Sequence, residues 1–238
     1  MTEPTDMNGA ESLVRTLIAG GVDVCFTNPG TSEMHFVAAL DKVPGMRCIL
    51  GLFEGVLTGA ADGYYRMGQK PASTLLHLGP GLANGLANLH NAKKANSGVV
   101  NVVGEHTTYH IKHDAPLTSD IEGVARPMSH WVRTSLTSED VSRDGAAAIE
   151  AATRAPGQIA TLILPADTAW GPASKVETAT PPLPPSTVTN SAVTGAAKLL
   201  TNGKTATLLL AGAALTEKGL QIAGRIAGKT GCGLLSEG

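Results

Sequence analysis

Gly51-Leu-Phe-Glu-Gly-Val-Leu-Thr-Gly-Ala-Ala-Asp-Gly-Tyr-Tyr-Arg66 is the stretch on which the fold turns. It follows the short run at 46–50, which reads as a buried strand, and residues 53–67 carry helical spacing with many small side chains. Glu54 therefore stands where a strand has ended and a helix begins, with Leu50, Leu52, Phe53, Val56 and Leu57 around it in sequence. A carboxyl desolvated by such neighbours favours its neutral, proton-sharing form. A helix N-terminus favours the anion.

Outward from this stretch the same alternation repeats. On the N-terminal side lie a helix at 8–20 with Asn8 as N-cap, a strand at 22–27, the loop Asn28-Pro29-Gly30-Thr31 and a helix at 32–40. On the C-terminal side lie a strand at 72–76, a Gly-Pro-Gly turn, a helix at 82–94, and a strand at 99–103 that is apolar without alternation, as a strand covered on both faces is. Residues 104–130 read as an irregular polar loop, 138–153 as an Ala-rich helix and 159–164 as a late strand. The fold class expected is α/β, a doubly wound parallel sheet over residues 1–170. A Pro-rich linker is expected at 171–187, since Thr178-Ala-Thr-Pro-Pro-Leu-Pro-Pro185 favours extended backbone. Residues 188–238 read as helix, strand, helix and strand, the start of a second, incomplete α/β domain with apolar faces left open near 208–210 and 234–235.

The segment Glu54 through Ala61-Asp62-Gly63-Tyr64-Tyr65-Arg66 resembles the pyrimidine-binding domain of thiamine-diphosphate enzymes, the group of acetolactate synthase, benzoylformate decarboxylase and pyruvate decarboxylase. Three further segments match that family in order: Phe26-Thr-Asn-Pro-Gly-Thr-Ser-Glu33, Leu76-His-Leu-Gly-Pro-Gly-Leu-Ala-Asn84 with Gly85 and Asn88, and Leu162-Ile-Leu-Pro-Ala-Asp167. The resemblance implies that Glu54 binds a ring nitrogen of the cofactor's aminopyrimidine and promotes proton loss from its thiazolium carbon. It implies that His77, at a strand end, assists proton transfer, and that Asn28, Gly30, Thr31, Gly79, Gly81 and Asn84 line the cofactor site. A Ser stands at the place of Thr31 in benzoylformate decarboxylase-like members, so a tighter pocket or another substrate is open. Asp62, Tyr64 and Arg66 are expected to be structural.

The resemblance further implies a 2-oxo acid substrate, decarboxylation and/or carboligation, and a homodimer or homotetramer with the site between subunits. The family holds Mg²⁺ and the diphosphate on a Gly-Asp-Gly motif. These 238 residues contain no such motif, so the Mg²⁺ ligands are expected in a C-terminal domain outside them, and the chain by itself is expected to be inactive. FAD binding depends on the central domain and is not legible here. A non-catalytic pyrimidine-domain module, regulatory or for interaction, is the alternative.

Composition agrees with a globular chain, with 42% hydrophobic, 16% charged and 3% aromatic residues. A net charge of −2 gives no basic field for nucleic acid or an anionic membrane. No apolar run is long enough to span a bilayer, and the N-terminus lacks the basic and apolar regions of a signal peptide. The 3 cysteines, widely spaced, form neither a metal pattern nor a disulfide framework, and a cytoplasmic setting is expected. His106, His110 and His113, with Glu105 and Asp114, lack metal-ligand spacing and read as a solvated loop.

Overall fold

The computed structural model describes residues 7–182, 184 and 186–237. Residues 1–6, 183, 185 and 238, at the ends of the two expected domains and inside the expected linker, lie outside the described residues. The chain divides into two compact units, Met1–Leu183 and Pro184–Gly238.

The first unit runs β1 (Met7–Asn8), α1 (Gly9–Ala19), β2 (Val24–Asn28), α2 (Met34–Lys42), β3 (Arg47–Leu50), α3 (Glu54–Gly68), β4 (Ala72–Leu76), α4 (Leu78–Lys94), β5 (Val99–Glu105), α5 (Ile121–Ala125), β6 (Trp131–Thr134), α6 (Val141–Thr153), β7 (Ile159–Pro165), α7 (Ala166–Trp170) and β8 (Pro172–Ala173). Six strands form one sheet in the order β3-β2-β4-β5-β7-β6, and every pairing in it is parallel. β1 and β8 pair antiparallel and tie the two ends of the unit together.

Parallel strands need crossover helices, and those helices cover both faces of the sheet. On one face α1, α2 and α6 bury Leu13, Leu17, Phe36 and Ile149 against Cys25, Leu75, Val100, Val102 and Leu162. On the other α3, α4 and α5 bury Leu57, Leu82, Leu89 and Ile121 against Phe26, Leu76, Val99, Val103 and Ile163. The alternation of β5 between these two cores explains why its stretch 99–103 has no polar face. The exception is Asn101, which is fully buried. It accepts from Thr74 Oγ1 at 2.8 Å and donates to Thr161 Oγ1 at 3.1 Å, so its amide is satisfied across three neighbouring strands.

Several expectations are corrected. β3 is not a buried strand: among the described residues it is an edge strand paired only with β2, Arg47 and Cys48 are exposed, and Leu50 is 67% exposed. The Gly79-Pro80-Gly81 run is no turn ahead of a helix. α4 starts at Leu78, and Pro80 sits in its first turn, where a missing N–H costs nothing. The helix expected from residue 32 begins as a 3-10 turn, Thr31–Glu33, and becomes α2 at Met34. The region expected to be irregular holds α5, and after it comes the unexpected edge strand β6, whose short Trp-Val-Arg-Thr sequence carries little apolar signal.

The second unit contains α8 (Asn190–Leu200), β9 (Thr207–Leu210), α9 (Glu217–Thr230) and β10 (Gly233–Ser236). β9 and β10 pair in parallel, and Leu209 and Leu235 are exposed on them.

The cysteines give a direct check on the sheet. Cys25 lies inside β2 with no exposed surface, and burial pushes its thiol up to about 12. Cys48, on the edge strand, is exposed. Iodoacetamide at about pH 8 is expected to modify Cys48 in the native chain and to reach Cys25 only after unfolding. Mass-spectrometric mapping that finds native Cys25 labelled as fast as Cys48 would contradict the placement of β2.

Candidate active site

Strand order reverses between β2 and β4: the chain leaves β2 for β3 on one side and returns to β4 on the other. Open α/β sheets form ligand crevices beyond the carboxyl ends of such strands. The loop Asn28-Pro29-Gly30-Thr31 follows β2 and His77 follows β4, so the two expected segments meet at this reversal.

Their meeting is mediated by a residue to which the sequence reading gave no role. Glu33 is 2% exposed, in the 3-10 turn after the loop. Its Oε2 accepts from Gly30 N–H at 2.7 Å and lies 2.8 Å from His77 Nδ1. Its Oε1 is buried and makes no hydrogen bond among the described residues. A Cβ on Gly30 would fall closer than 3.0 Å to three atoms of the His77 ring, so the backbone there lies directly against the imidazole. A Cβ on Gly104 would meet the Glu33 carboxylate. The signal in the sequence was a Glu three residues after Gly30, the spacing of a capping box.

Glu54 opens α3 and is 7% exposed. Of the apolar neighbours expected to desolvate it, Leu57 is buried, but Leu50 and the residues flanking Glu54 are not. Leu52 is 94% exposed, and Phe53 and Val56 are exposed too, because a helix start turns successive side chains in different directions. The carboxyl is buried instead against α4, where Asn84 Nδ2 donates to its Oε2 at 3.0 Å. Thr58 Oγ1 lies 3.0 Å from the Gly85 carbonyl and helps join the two helices. A Cβ on Gly81 would stand 3.0 Å from Glu54 Oε1 and 3.3 Å from His77 Cβ. Gly81 is thus the bare floor between the two groups, and Glu54 and His77 share one edge of the sheet.

Glu54, His77, Gly30, Gly81 and Asn84 are brought together. Gly79 is turned away from them, against Ser119. The Asn28 and Thr31 side chains make no hydrogen bond among the described residues. Asp62 accepts both guanidinium bonds of Arg66 at 2.9 Å and the Ser97 hydroxyl at 2.5 Å, while Tyr64 Oη lies 3.4 Å from Asp23. Asp62 thus ties α3 to the loop before β5, and Tyr64 ties it to the residue before β2. His106, His110 and His113 lie in a row with ring centroids 5.9 and 5.4 Å apart, the first pair edge-on and the second tilted, on a loop latched by Thr108 to Asp167. No group of three metal-ligating side chains exists among the described residues.

At the end of β5, burial pushes the Glu105 carboxyl above its ordinary 4.5, against the hydrogen bond that it accepts from His106 N–H, and the charge of Glu33 pushes in the same direction as burial. A raised carboxyl makes the folded state hold its proton to higher pH than the unfolded state, so stability is lost as pH rises from the unfolded value through the folded one. Glu105→Gln is therefore expected to gain stability relative to wild type as pH rises from the ordinary carboxylate range, until the folded carboxyl is ionised. Urea unfolding across this range checks it, and a difference that does not vary with pH would contradict it.

Residues 7–124 match the family described as thiamine pyrophosphate enzyme, N-terminal TPP binding domain. This chain belongs to that family. It is 54% identical over 231 residues to the Mycobacterium tuberculosis protein named "Putative acetolactate synthase large subunit IlvX", covering 97% of this chain and 44% of that protein. It is 32% identical over 148 residues to benzoylformate decarboxylase of Pseudomonas aeruginosa, covering 62% of this chain and 28% of that enzyme. In fold it is similar to a thiamine diphosphate-dependent 4-hydroxybenzoylformate decarboxylase of Rhodococcus jostii RHA1, with a TM-score of 0.87 and 22% identity over 97% of this chain and 44% of that one. The chain thus spans less than half the length of these relatives. Among the described residues no helix is long and apolar enough to cross a membrane.

Proposed function

We propose that this chain supplies the aminopyrimidine half-site of a thiamine-diphosphate-dependent enzyme that decarboxylates or ligates a 2-oxo acid. The observation that carries the reading is Glu54: a largely buried carboxyl with one oxygen held by Asn84 and the other facing the bare surface of Gly81. That donor set fits an aminopyrimidine, whose ring nitrogen needs a carboxyl partner and whose flat ring needs a floor without a Cβ. When bound, thiamine diphosphate supplies a nucleophilic carbon and an electron sink for the bond broken in the 2-oxo acid.

The chain's own residues bind and move protons. Glu54 exchanges a proton with the ring nitrogen. Asn84 fixes the Glu54 rotamer so that only Oε1 is free for that bond. His77 faces the same edge and exchanges protons with the substrate. Gly30 and Thr31 line the approach after β2. The diphosphate and Mg²⁺ are assigned to a Gly-Asp-Gly-bearing domain, with the site formed between subunits of a homo-oligomer.

The test follows carbon dioxide release from pyruvate, 2-oxobutyrate and benzoylformate with thiamine diphosphate and Mg²⁺ present. The 238-residue chain alone is expected to give no turnover, and turnover is expected when it is joined to a domain that carries the diphosphate site. Turnover by the chain alone would overturn the half-site reading. A joined protein that binds the cofactor yet turns over none of these acids would favour a non-catalytic module.

A further inference from the structure

We infer that Glu33 is a positioning residue that holds the His77 proton on Nδ1 and leaves Nε2 as the ring atom open for proton exchange. The role of that exchange rests on the half-site reading above; the arrangement of the two side chains does not.

A carboxylate only accepts hydrogen bonds. Glu33 Oε2 already accepts the Gly30 N–H at 2.7 Å, so the same oxygen, 2.8 Å from His77 Nδ1, is placed to accept again. Moving the proton onto Oε1 would create a buried donor with no acceptor in place, because Oε1 has no hydrogen-bond partner among the described residues. In a neutral imidazole the proton can sit on either nitrogen, and the hydrogen bond at one of them decides which. Here that bond is at Nδ1. Nε2 makes no hydrogen bond among the described residues, and the His77 side chain keeps 25% of its surface open.

The ring is fixed on other sides as well. Gly30 lies flat against it, and the Glu33 carboxylate is itself confined by Gly104 of β5. Glu33 is 2% exposed and sits beneath the imidazole, so it acts through His77 and does not touch a ligand in the crevice. The pair joins the segment after β2 to the segment after β4, across the reversal of strand order. A buried carboxylate orienting an imidazole is a recurrent way of selecting one tautomer.

The test is long-range ¹H–¹⁵N correlation spectroscopy on the 238-residue chain with ¹⁵N-histidine, His77 being assigned by the signal lost in His77→Gln. In the neutral ring, Nδ1 is expected to show the shift of a protonated nitrogen and Nε2 that of an unprotonated one. Glu33→Leu removes the acceptor, and the two signals are expected to exchange character. Glu33→Gln retains a carbonyl oxygen and is expected to restore the wild-type pattern at least in part, which a purely structural role for Glu33 would not require. Should Glu33→Leu fail to fold, the wild-type spectrum decides alone. A proton found mainly on Nε2 in wild type, or still on Nδ1 in a folded Glu33→Leu chain, would overturn the inference. No cofactor and no turnover enter this measurement, so it fails or succeeds separately from the proposed function.

Discussion

In an enzyme assembled around this half-site, Glu54→Gln is expected to slow hydrogen–deuterium exchange at the bound cofactor's thiazolium carbon by about 100- to 10,000-fold, the range that positioned acid–base groups contribute. The carboxyl is held at one oxygen by Asn84 Nδ2 at 3.0 Å, and Gln can offer its own carbonyl oxygen to that donor. The side chain keeps its length and volume, so no cavity opens between α3 and α4 and stability should change little. What is lost is the ability to take up and release a proton at the other oxygen. A variant that only weakened cofactor binding would recover its exchange rate at saturating cofactor. The expected loss persists at saturation. Equal exchange in wild type and variant would remove Glu54 from the role proposed for it.

The architecture was legible because parallel α/β folds write themselves in blocks. The apolar run at 99–103 has no alternation since both faces of β5 are covered, and the helices between strands carry clear spacing. Edges were harder to read. β3 ends in the apolar Cys48, Ile49 and Leu50, yet among the described residues one side of it has no partner strand and Leu50 faces outward. β6 has too few apolar residues to be noticed, and its place beside β7 comes from pairing at a distance, which no local pattern records. Pro80 reads as part of a turn ahead of the helix at 82–94, although in the first turn a residue without an N–H forfeits no bond.

At the site, Glu54 and His77 stood out by residue type and by their position after strands, and Gly30 and Gly81 by the segments that hold them. Why those glycines are there was not legible: each marks a place where a side chain from another segment comes within contact distance of the backbone. The burial of Glu54 has a cause other than its neighbours in sequence. Leu52, Phe53 and Val56 turn outward at the helix start while Leu57 enters the core, and the carboxyl itself is covered by α4, thirty residues on from Glu54 at Asn84. Glu33 went without a role for a related reason. A Glu three residues after a loop glycine looks like an ordinary cap, and only the approach of β4 to β2 shows that its other neighbour is His77.

Gly30→Ala is expected to be the most informative change of backbone shape at this site. Gly30 has φ −110 and ψ −161, an extended conformation open to any residue, so alanine brings no backbone strain. The cost comes from space: the new methyl would lie closer than 3.0 Å to Cε1, Nδ1 and Nε2 of His77. The imidazole must swing away, which breaks its bond to Glu33 and leaves a buried carboxylate with only the Gly30 N–H as donor. Loss of one partner from a buried polar pair costs about 1–3 kcal/mol. Displacing a proton-transfer group by an ångström costs about 100-fold in turnover. Ring displacement and general loop damage separate in a double-mutant cycle. In a His77→Ala background the ring is gone, the added methyl has room, and Gly30→Ala should cost little stability in urea unfolding. If Gly30→Ala destabilises the His77→Ala chain as much as it destabilises wild type, the imidazole is not what requires glycine at this position, and the close packing of loop against ring has no part in building the site.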